Sequence, residues 1–246
     1  MKIKLIFILL LPVLVSFSCD FGESEGKKIT RNEIGTSGGY GYEFWMEGSV
    51  KGNMTLGSGG AFSCEWTSTP PGPGGKTGNI LFRRGQKWNA SSQSHQQIGN
   101  IKLDYSATYT ITSGNVSYLC VYGWTRNPLV EYYILESYGS YNPGASNPNA
   151  TNKGTATIDG HTYTIYQSTR TNQPSIDGTR TFEQYWSIRQ PTSKRTSGTI
   201  SVSEHFKAWE NLGMKLGGLY EVALTIEGFG SSGMADITEN VLTITK

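Results

Sequence analysis

Residues 155–166, Thr155-Ala-Thr-Ile-Asp-Gly-His-Thr-Tyr-Thr-Ile-Tyr166, decide the fold class. Two β-rich runs flank Asp159-Gly160, and both of these residues tolerate the positive φ of a type I′ turn, so the stretch reads as a hairpin. Beyond the turn the side chains alternate. Tyr163 and Ile165 share one face and Thr164 and Tyr166 the other, which is the period of a strand buried on one side. The same pattern extends in both directions. Runs at 107–112, 117–122, 130–138, 181–190, 199–202, 219–226 and 241–245 are separated by Gly, Pro, Asn and Ser turns. Many short strands of this kind predict an all-β sandwich or barrel of antiparallel strands.

One segment departs from the pattern. Ser201 and Glu204 have the spacing of a capping box, Phe206, Trp209 and Leu212 recur at helical spacing, and Gly213 supplies a stop. This predicts a single helix near 203–212, packed on the outside of a sheet. The longest irregular stretch, 67–79, holds Pro70, Pro71 and Pro73 and reads as a surface loop.

Composition narrows the function. Of 246 residues only 16% are charged while 12% are aromatic, against about 25% charged in a typical soluble protein. That excludes a basic nucleic-acid surface, a coiled coil and a charge-rich disordered chain. The net charge of +2 is accounted for by Lys2 and Lys4 alone. These two precede the apolar run Leu5–Val15, and residues 1–18 read as an export signal, too short to span a bilayer. Cys19 follows a small residue at the end of that run, as in a bacterial lipobox, and is the candidate lipidation site; simple cleavage near Ser18 is the other reading. Residues 19–34 are expected to be a polar tether and 35–246 one domain. The protein is thus expected to be exported, either secreted or lipid-anchored at the cell surface, meeting a membrane only through Cys19.

Cys64 and Cys120 permit one bridge or two buried thiols. His95, His161 and His205 lie far apart among polar neighbours and read as surface residues, so no metal or cofactor is expected.

Two carboxylates stand where carboxylates are costly. Glu131 lies within Pro128-Leu-Val-Glu-Tyr-Tyr-Ile-Leu135 and Glu227 within Val222-Ala-Leu-Thr-Ile-Glu-Gly-Phe229. A carboxylate in an apolar strand either faces solvent or is buried with a purpose. Leu129, Tyr133 and Leu135 share the face of Glu131; Ala223 and Thr225 share that of Glu227, opposite Val222, Leu224 and Ile226. Two such glutamates on an aromatic-rich sheet suit acid/base work on a neutral, ring-shaped ligand, as in glycoside hydrolysis. A buried glutamate satisfied by tyrosine hydroxyls is the structural alternative.

Several longer motifs carry a resemblance. Tyr122-Gly-Trp-Thr-Arg-Asn-Pro-Leu-Val-Glu131-Tyr-Tyr, continuing to Pro143, is similar to the nucleophile segment of glycoside hydrolase family 11, the compact endo-β-1,4-xylanases. Glu227-Gly-Phe-Gly-Ser-Ser-Gly233 resembles that family's acid/base segment. Pro174-Ser-Ile-Asp-Gly178 resembles its thumb loop, and Gln184-Tyr-Trp-Ser-Ile-Arg-Gln190 the strand after it. Arg195-Thr-Ser-Gly-Thr199, His205-Phe, Ala208-Trp209 and Thr36-Ser-Gly-Gly-Tyr40 also match.

The resemblance implies a β-jelly roll of two curved antiparallel sheets. It also implies retaining hydrolysis of xylan by a monomer without cofactor, metal or nucleic-acid partner. Glu131 would be the nucleophile and Glu227 the acid/base, their carboxyls about 5–5.5 Å apart. By the same resemblance Tyr122 and Tyr133 flank the nucleophile, Arg170, Gln184 and Trp186 line the cleft and Pro174 offers the thumb's carbonyl. Trp45 would stack on sugar, and Asn79 would bond the acid/base, which in this family goes with a pH optimum near neutral or above. Tyr138 stands where Trp is common and Phe229 where Tyr is usual. The 67–78 loop leaves one edge of the cleft undefined. Two rival readings are a sugar-binding jelly roll without chemistry and a retaining β-glucanase.

Overall fold

The computed structural model describes residues 26–88, 93–190 and 195–246. In chain order the strands are β1 (Lys28–Ile29), β2 (Glu33–Ser37), β3 (Tyr40–Glu47), β4 (Val50–Leu56), β5 (Phe62–Ser68), β6 (Asn79–Lys87), β7 (Asn100–Ser113), β8 (Val116–Arg126) and β9 (Val130–Tyr138). They continue with β10 (Thr151–Ile158), β11 (His161–Ser175), β12 (Gly178–Gln190), β13 (Ser197–Ile200), β14 (Gly218–Phe229) and β15 (Ser232–Thr245). Two helices interrupt them, α1 (His95–Ile98) and α2 (Val202–Asn211).

The strands form a six-stranded sheet, β1-β4-β5-β15-β7-β13, and a nine-stranded sheet, β10-β11-β12-β9-β8-β14-β6-β3-β2. The expected all-β sandwich is therefore present. Its pairs are antiparallel with one exception: β9 and β12 run parallel, with Glu131 opposite Gln184. The 159–160 hairpin forms as read, with Asp159 at φ 51° and Gly160 at φ 73° between β10 and β11.

The period of two separates the nine-stranded sheet into two apolar faces. Val130, Tyr132 and Ile134 of β9 and Val222, Leu224 and Ile226 of β14 join the core between the sheets. Each fully buried side chain of this kind contributes about 1.5–3 kcal/mol. Tyr133 and Leu135 point the other way, into a second cluster with Leu81, Tyr118, Tyr122, Trp124, Phe182 and Trp186. Among the described residues no strand of the six-stranded sheet joins this cluster, whose aromatic rings bury one another. Ile176, in the β11–β12 turn, and Trp45 of β3 pack on the same cluster from opposite flanks. Gly123 lets the strands approach here, since a Cβ would strike the Glu221 carbonyl and the Tyr132 hydroxyl.

Four sequence expectations change. The helix near 203–212 is α2, but its capping box does not form. Ser201 instead donates its hydroxyl and its N–H to the Asp159 carboxylate at 2.7 and 2.8 Å. The capping box belongs to α1, an additional short helix, where Ser94 and Gln97 bond reciprocally. The expected tether overlaps the fold, for β1 pairs with β4 and β2 begins at Glu33. The signal segment 1–18, Cys19 and the rest of the tether to residue 25 lie outside the described residues. His95 and His205 are buried rather than exposed, because each stacks edge-on against an aromatic ring, Phe206 and Tyr163 respectively. Cys64 and Cys120 are both buried free thiols, in strands of different sheets.

Candidate active site

Strands β9 and β14 lie on either side of β8 and present Glu131 and Glu227 on the outer face. Both carboxylates are buried, at 9% and 8% exposure. Glu131 accepts three hydrogen bonds: Tyr122 hydroxyl to Oε1 at 2.8 Å, Tyr133 hydroxyl to Oε1 at 3.1 Å, and Gln184 Nε2 to Oε2 at 2.6 Å. Tyr122 is aimed by its own partner, the Trp124 indole, which donates to the Tyr122 oxygen. Trp186 stacks flat on Tyr133, centroids 4.0 Å apart and planes 8° apart, and so forms floor beneath the site rather than an open platform.

Burial pushes the Glu131 carboxyl up, while the Gln184, Tyr122 and Tyr133 donors and the Arg170 charge pull it back. Glu227 has weaker support. Burial, then the negative charge of Glu131, push it to about 8, against weaker opposition from Tyr133, Arg83 and Arg170. Glu227 Oε2 has no hydrogen-bond partner among the described residues. The pair therefore sets a carboxyl held by three donors beside one pushed up to about 8, the separation that acid/base work needs.

Two further carboxylates are as deeply buried, Glu136 and Glu221, each 2% exposed, although their sequence neighbourhoods do not mark them. Both are neutralised. Glu136 pairs with Arg195 Nη1 at 3.0 Å, and Glu221 with Arg83 Nη1 at 2.8 Å. Among the described residues Glu131 and Glu227 pair with no cation.

The structure thus brings Glu131, Glu227, Tyr122, Tyr133, Gln184 and Trp186 together. Arg170, on the exposed end of β11, acts on both carboxyls through its charge. Trp45 packs at the margin of the cluster. Asn79 sits one pleat along β6 from Leu81, the residue opposite Glu227. No hydrogen bond joins Asn79 to Glu227; its Oδ1 is buried and unpartnered, as is Glu227 Oε2. Pro174 is exposed in the β11–β12 hairpin, opposite Thr179. Asp177 of that hairpin's turn receives Arg126 Nη2 at 2.6 Å, and the Arg126 guanidinium lies 4.4 Å from the Tyr220 ring centroid. Sequence reasoning missed Trp124 as a second donor and the charged residues Glu43, Arg83, Lys87 and Glu221. The available signal was Arg83 within Ile80-Leu-Phe-Arg83, a cation in an apolar strand, and Glu221 at even spacing from Glu227. No group of three His, Cys, Asp or Glu among the described residues is arranged to hold a metal ion.

The arrangement has counterparts. The sequence pattern of Glycosyl hydrolases family 11 matches residues 37–238. The chain is 57% identical over 221 residues to an endo-1,4-beta-xylanase A of Thermoclostridium stercorarium, covering 89% of this chain but 31% of that protein. It is 46% identical over 244 residues to an endo-1,4-beta-xylanase A of Bacillus pumilus, covering 99% of this chain and 97% of the relative. Among solved structures, the family 11 xylanase from Neocallimastix patriciarum superposes with a TM-score of 0.79 at 41% identity. That match covers 89% of this chain and all of the other. Against the T. stercorarium relative, the chain spans about a third of the length.

Proposed function

Because the chain belongs to glycosyl hydrolases family 11, we propose that it is an endo-1,4-β-xylanase that cleaves xylan with retention of configuration. The observation that carries the reading is the asymmetry of the buried pair: Glu131 accepts from Tyr122, Tyr133 and Gln184, whereas Glu227 Oε2 has no partner among the described residues and the group is pushed up to about 8. In this reading Glu131 attacks the anomeric carbon while Glu227 protonates the leaving oxygen, and a glycosyl ester forms on Glu131. Esterification removes the charge that raises Glu227, so its pKa falls and it serves as base toward the incoming water. Tyr122, Tyr133 and Gln184 hold the nucleophile. Trp45, Asn79, Arg170, Pro174 and Trp186 border the sugar. An uncharged polymer suits an outer face made of tyrosine, tryptophan and amide groups.

The test is reducing-sugar release from xylan by the purified protein, with proton NMR of the first-formed anomer. Xylan cleavage with a β-anomer as first product supports the reading. Inactivity on xylan with activity on a mixed-linkage glucan moves the substrate to β-glucan. Binding without cleavage makes the protein a sugar-binding module. We propose further that residues 1–18 direct export and that Cys19 is diacylated. Labelled palmitate should mark the wild type and not Cys19→Ala, and an unlabelled wild type means plain secretion.

A further inference from the structure

Beneath the nucleophile lies a charged cluster that the chemistry above does not use. Arg83 of β6 is 6% exposed and spans two carboxylates, Glu43 of β3 through Nη2 and Glu221 of β14 through Nη1. Lys87, two pleats along β6, contacts the same two carboxylates, Glu43 at 2.5 Å and Glu221 at 3.6 Å. Two cations and two anions thus close a largely buried, neutral square, and charge balance alone would be met by a second lysine. What a lysine lacks is a plane. The Arg83 guanidinium carbon lies 5.1 Å from the centroid of the Tyr122 ring, and Arg83 Nε has no hydrogen-bond partner among the described residues. Its two Nη groups face the carboxylates, and it also lies over the ring. A guanidinium makes both contacts at once, and an ammonium does not. Tyr122 is the residue whose hydroxyl donates to Glu131.

We propose that Arg83 is a positioning residue for the reaction: clamped between Glu43 and Glu221, it braces one side of the Tyr122 ring and so keeps the tyrosine hydroxyl on Glu131. The proposal rests on the assignment of Glu131 as nucleophile. Trp124 and Tyr133 hold the ring edge-on at centroid distances of 6.5 and 5.0 Å, so with Arg83 the tyrosine is held from three directions. The groups that face Glu131 are Tyr122 and Cys120 on β8, Tyr133 on β9, Arg170 on β11, Gln184 on β12 and Glu227 on β14. Arg83 meets Glu131 through Tyr122, and its charge also acts on Glu227.

The experiment is a double-mutant cycle of Arg83→Lys and Tyr122→Phe, read on xylan. Arg83→Lys should lower kcat about tenfold with KM within about twofold. In the Tyr122→Phe background the same change should alter kcat less than about twofold, since the group it positions is gone. Effects of equal size in both backgrounds, or a wild-type kcat, overturn the proposal. Arg83→Gln with Glu221→Gln keeps the cluster neutral and should behave as Arg83→Lys does. If neither protein melts cooperatively, Arg83 is a structural residue and the proposal falls. A second readout is free of turnover: carbon-13 NMR titration of the Glu131 carboxyl, whose midpoint should rise by about half a pH unit in Arg83→Lys. An unchanged midpoint overturns the positioning role. A wild type inactive on every glycan would overturn the assigned function, and the titration would still decide the role of Arg83.

Discussion

Strand β9 carries two buried glutamates five residues apart, on opposite faces. Glu131 points to the outer face and Glu136 into the core between the sheets, and both accept tyrosine hydroxyls. Tyr122 and Tyr133 bond the first, Tyr163 and Tyr105 the second. The difference is what stands beyond the tyrosines. Glu136 has Arg195 and Arg189 beside it, whereas Glu131 has a neutral amide and a second carboxyl group. Burial is thus common to both, and the missing counter-ion separates the carboxylate proposed to react from a structural one. A charge that is fully paired has nothing left to offer a developing transition state, while one held by neutral donors keeps its nucleophilicity.

That comparison can be broken in four ways. The largest effect belongs to the outer pair: Glu131→Gln and Glu227→Gln should each lower xylan hydrolysis by roughly 10⁴-fold with cooperative folding intact, and a loss below tenfold in either ends the assignment. Glu136→Gln should do the reverse. Stranding Arg195 and Arg189 in the interior should cost about 3 kcal/mol in denaturant unfolding while kcat stays within severalfold. Unaltered stability would mean that the two glutamates are not different in kind.

The third test uses pH. Glu227 is raised in the folded protein from an ordinary 4.5 to about 8. The folded state therefore binds the extra proton in that window, and its stability falls as pH rises from 4.5 to 8. Glu227→Gln should remove this slope and be the more stable protein at pH 8, and kcat/KM of the parent should fall above about pH 8 as the acid ionises. Parallel stability curves would show that the carboxyl is not strained. The smallest effect is on the acid side. Burial holds His205 at about 3, below its ordinary 6.5, so the unfolded chain takes up a proton there first. The contribution of His205 to stability should fall by about 3 kcal/mol from pH 7 to pH 4, opposing the rise that Glu227 gives over much of the same window, and His205→Phe should remove that contribution.

Much of this was legible in the chain. Alternation placed Val222, Leu224 and Ile226 opposite Glu227, the Asp159-Gly160 pair gave its hairpin, and Phe206 and Trp209 gave α2. What escaped depends on distance along the sequence. Arg83 meets Glu221 across 138 residues, and nothing local to Tyr220-Glu221-Val222 distinguishes a paired carboxylate from a solvated one. Ser201 makes no capping bond; its hydroxyl and its N–H both go to Asp159, 42 residues earlier. His205 sits between Glu204 and Phe206, and the helix turns it onto Tyr163. The surroundings of Glu131 were read through likeness to a family, since period and spacing name a face and not its occupants.

The single parallel pair, β9 with β12, has a consequence for how the protein comes into being. Parallel neighbours cannot be joined by a tight turn, so Gln184 reaches Glu131 only after a 53-residue excursion through β10 and β11. Glu227 arrives later still, on the penultimate strand. Such long loops make assembly slow and nearly all-or-none. During synthesis Glu131 can meet Tyr122 and Tyr133 once the β8–β9 hairpin has emerged, but Gln184 only 53 residues later, and a chain stopped short of β14 lacks Glu227 altogether.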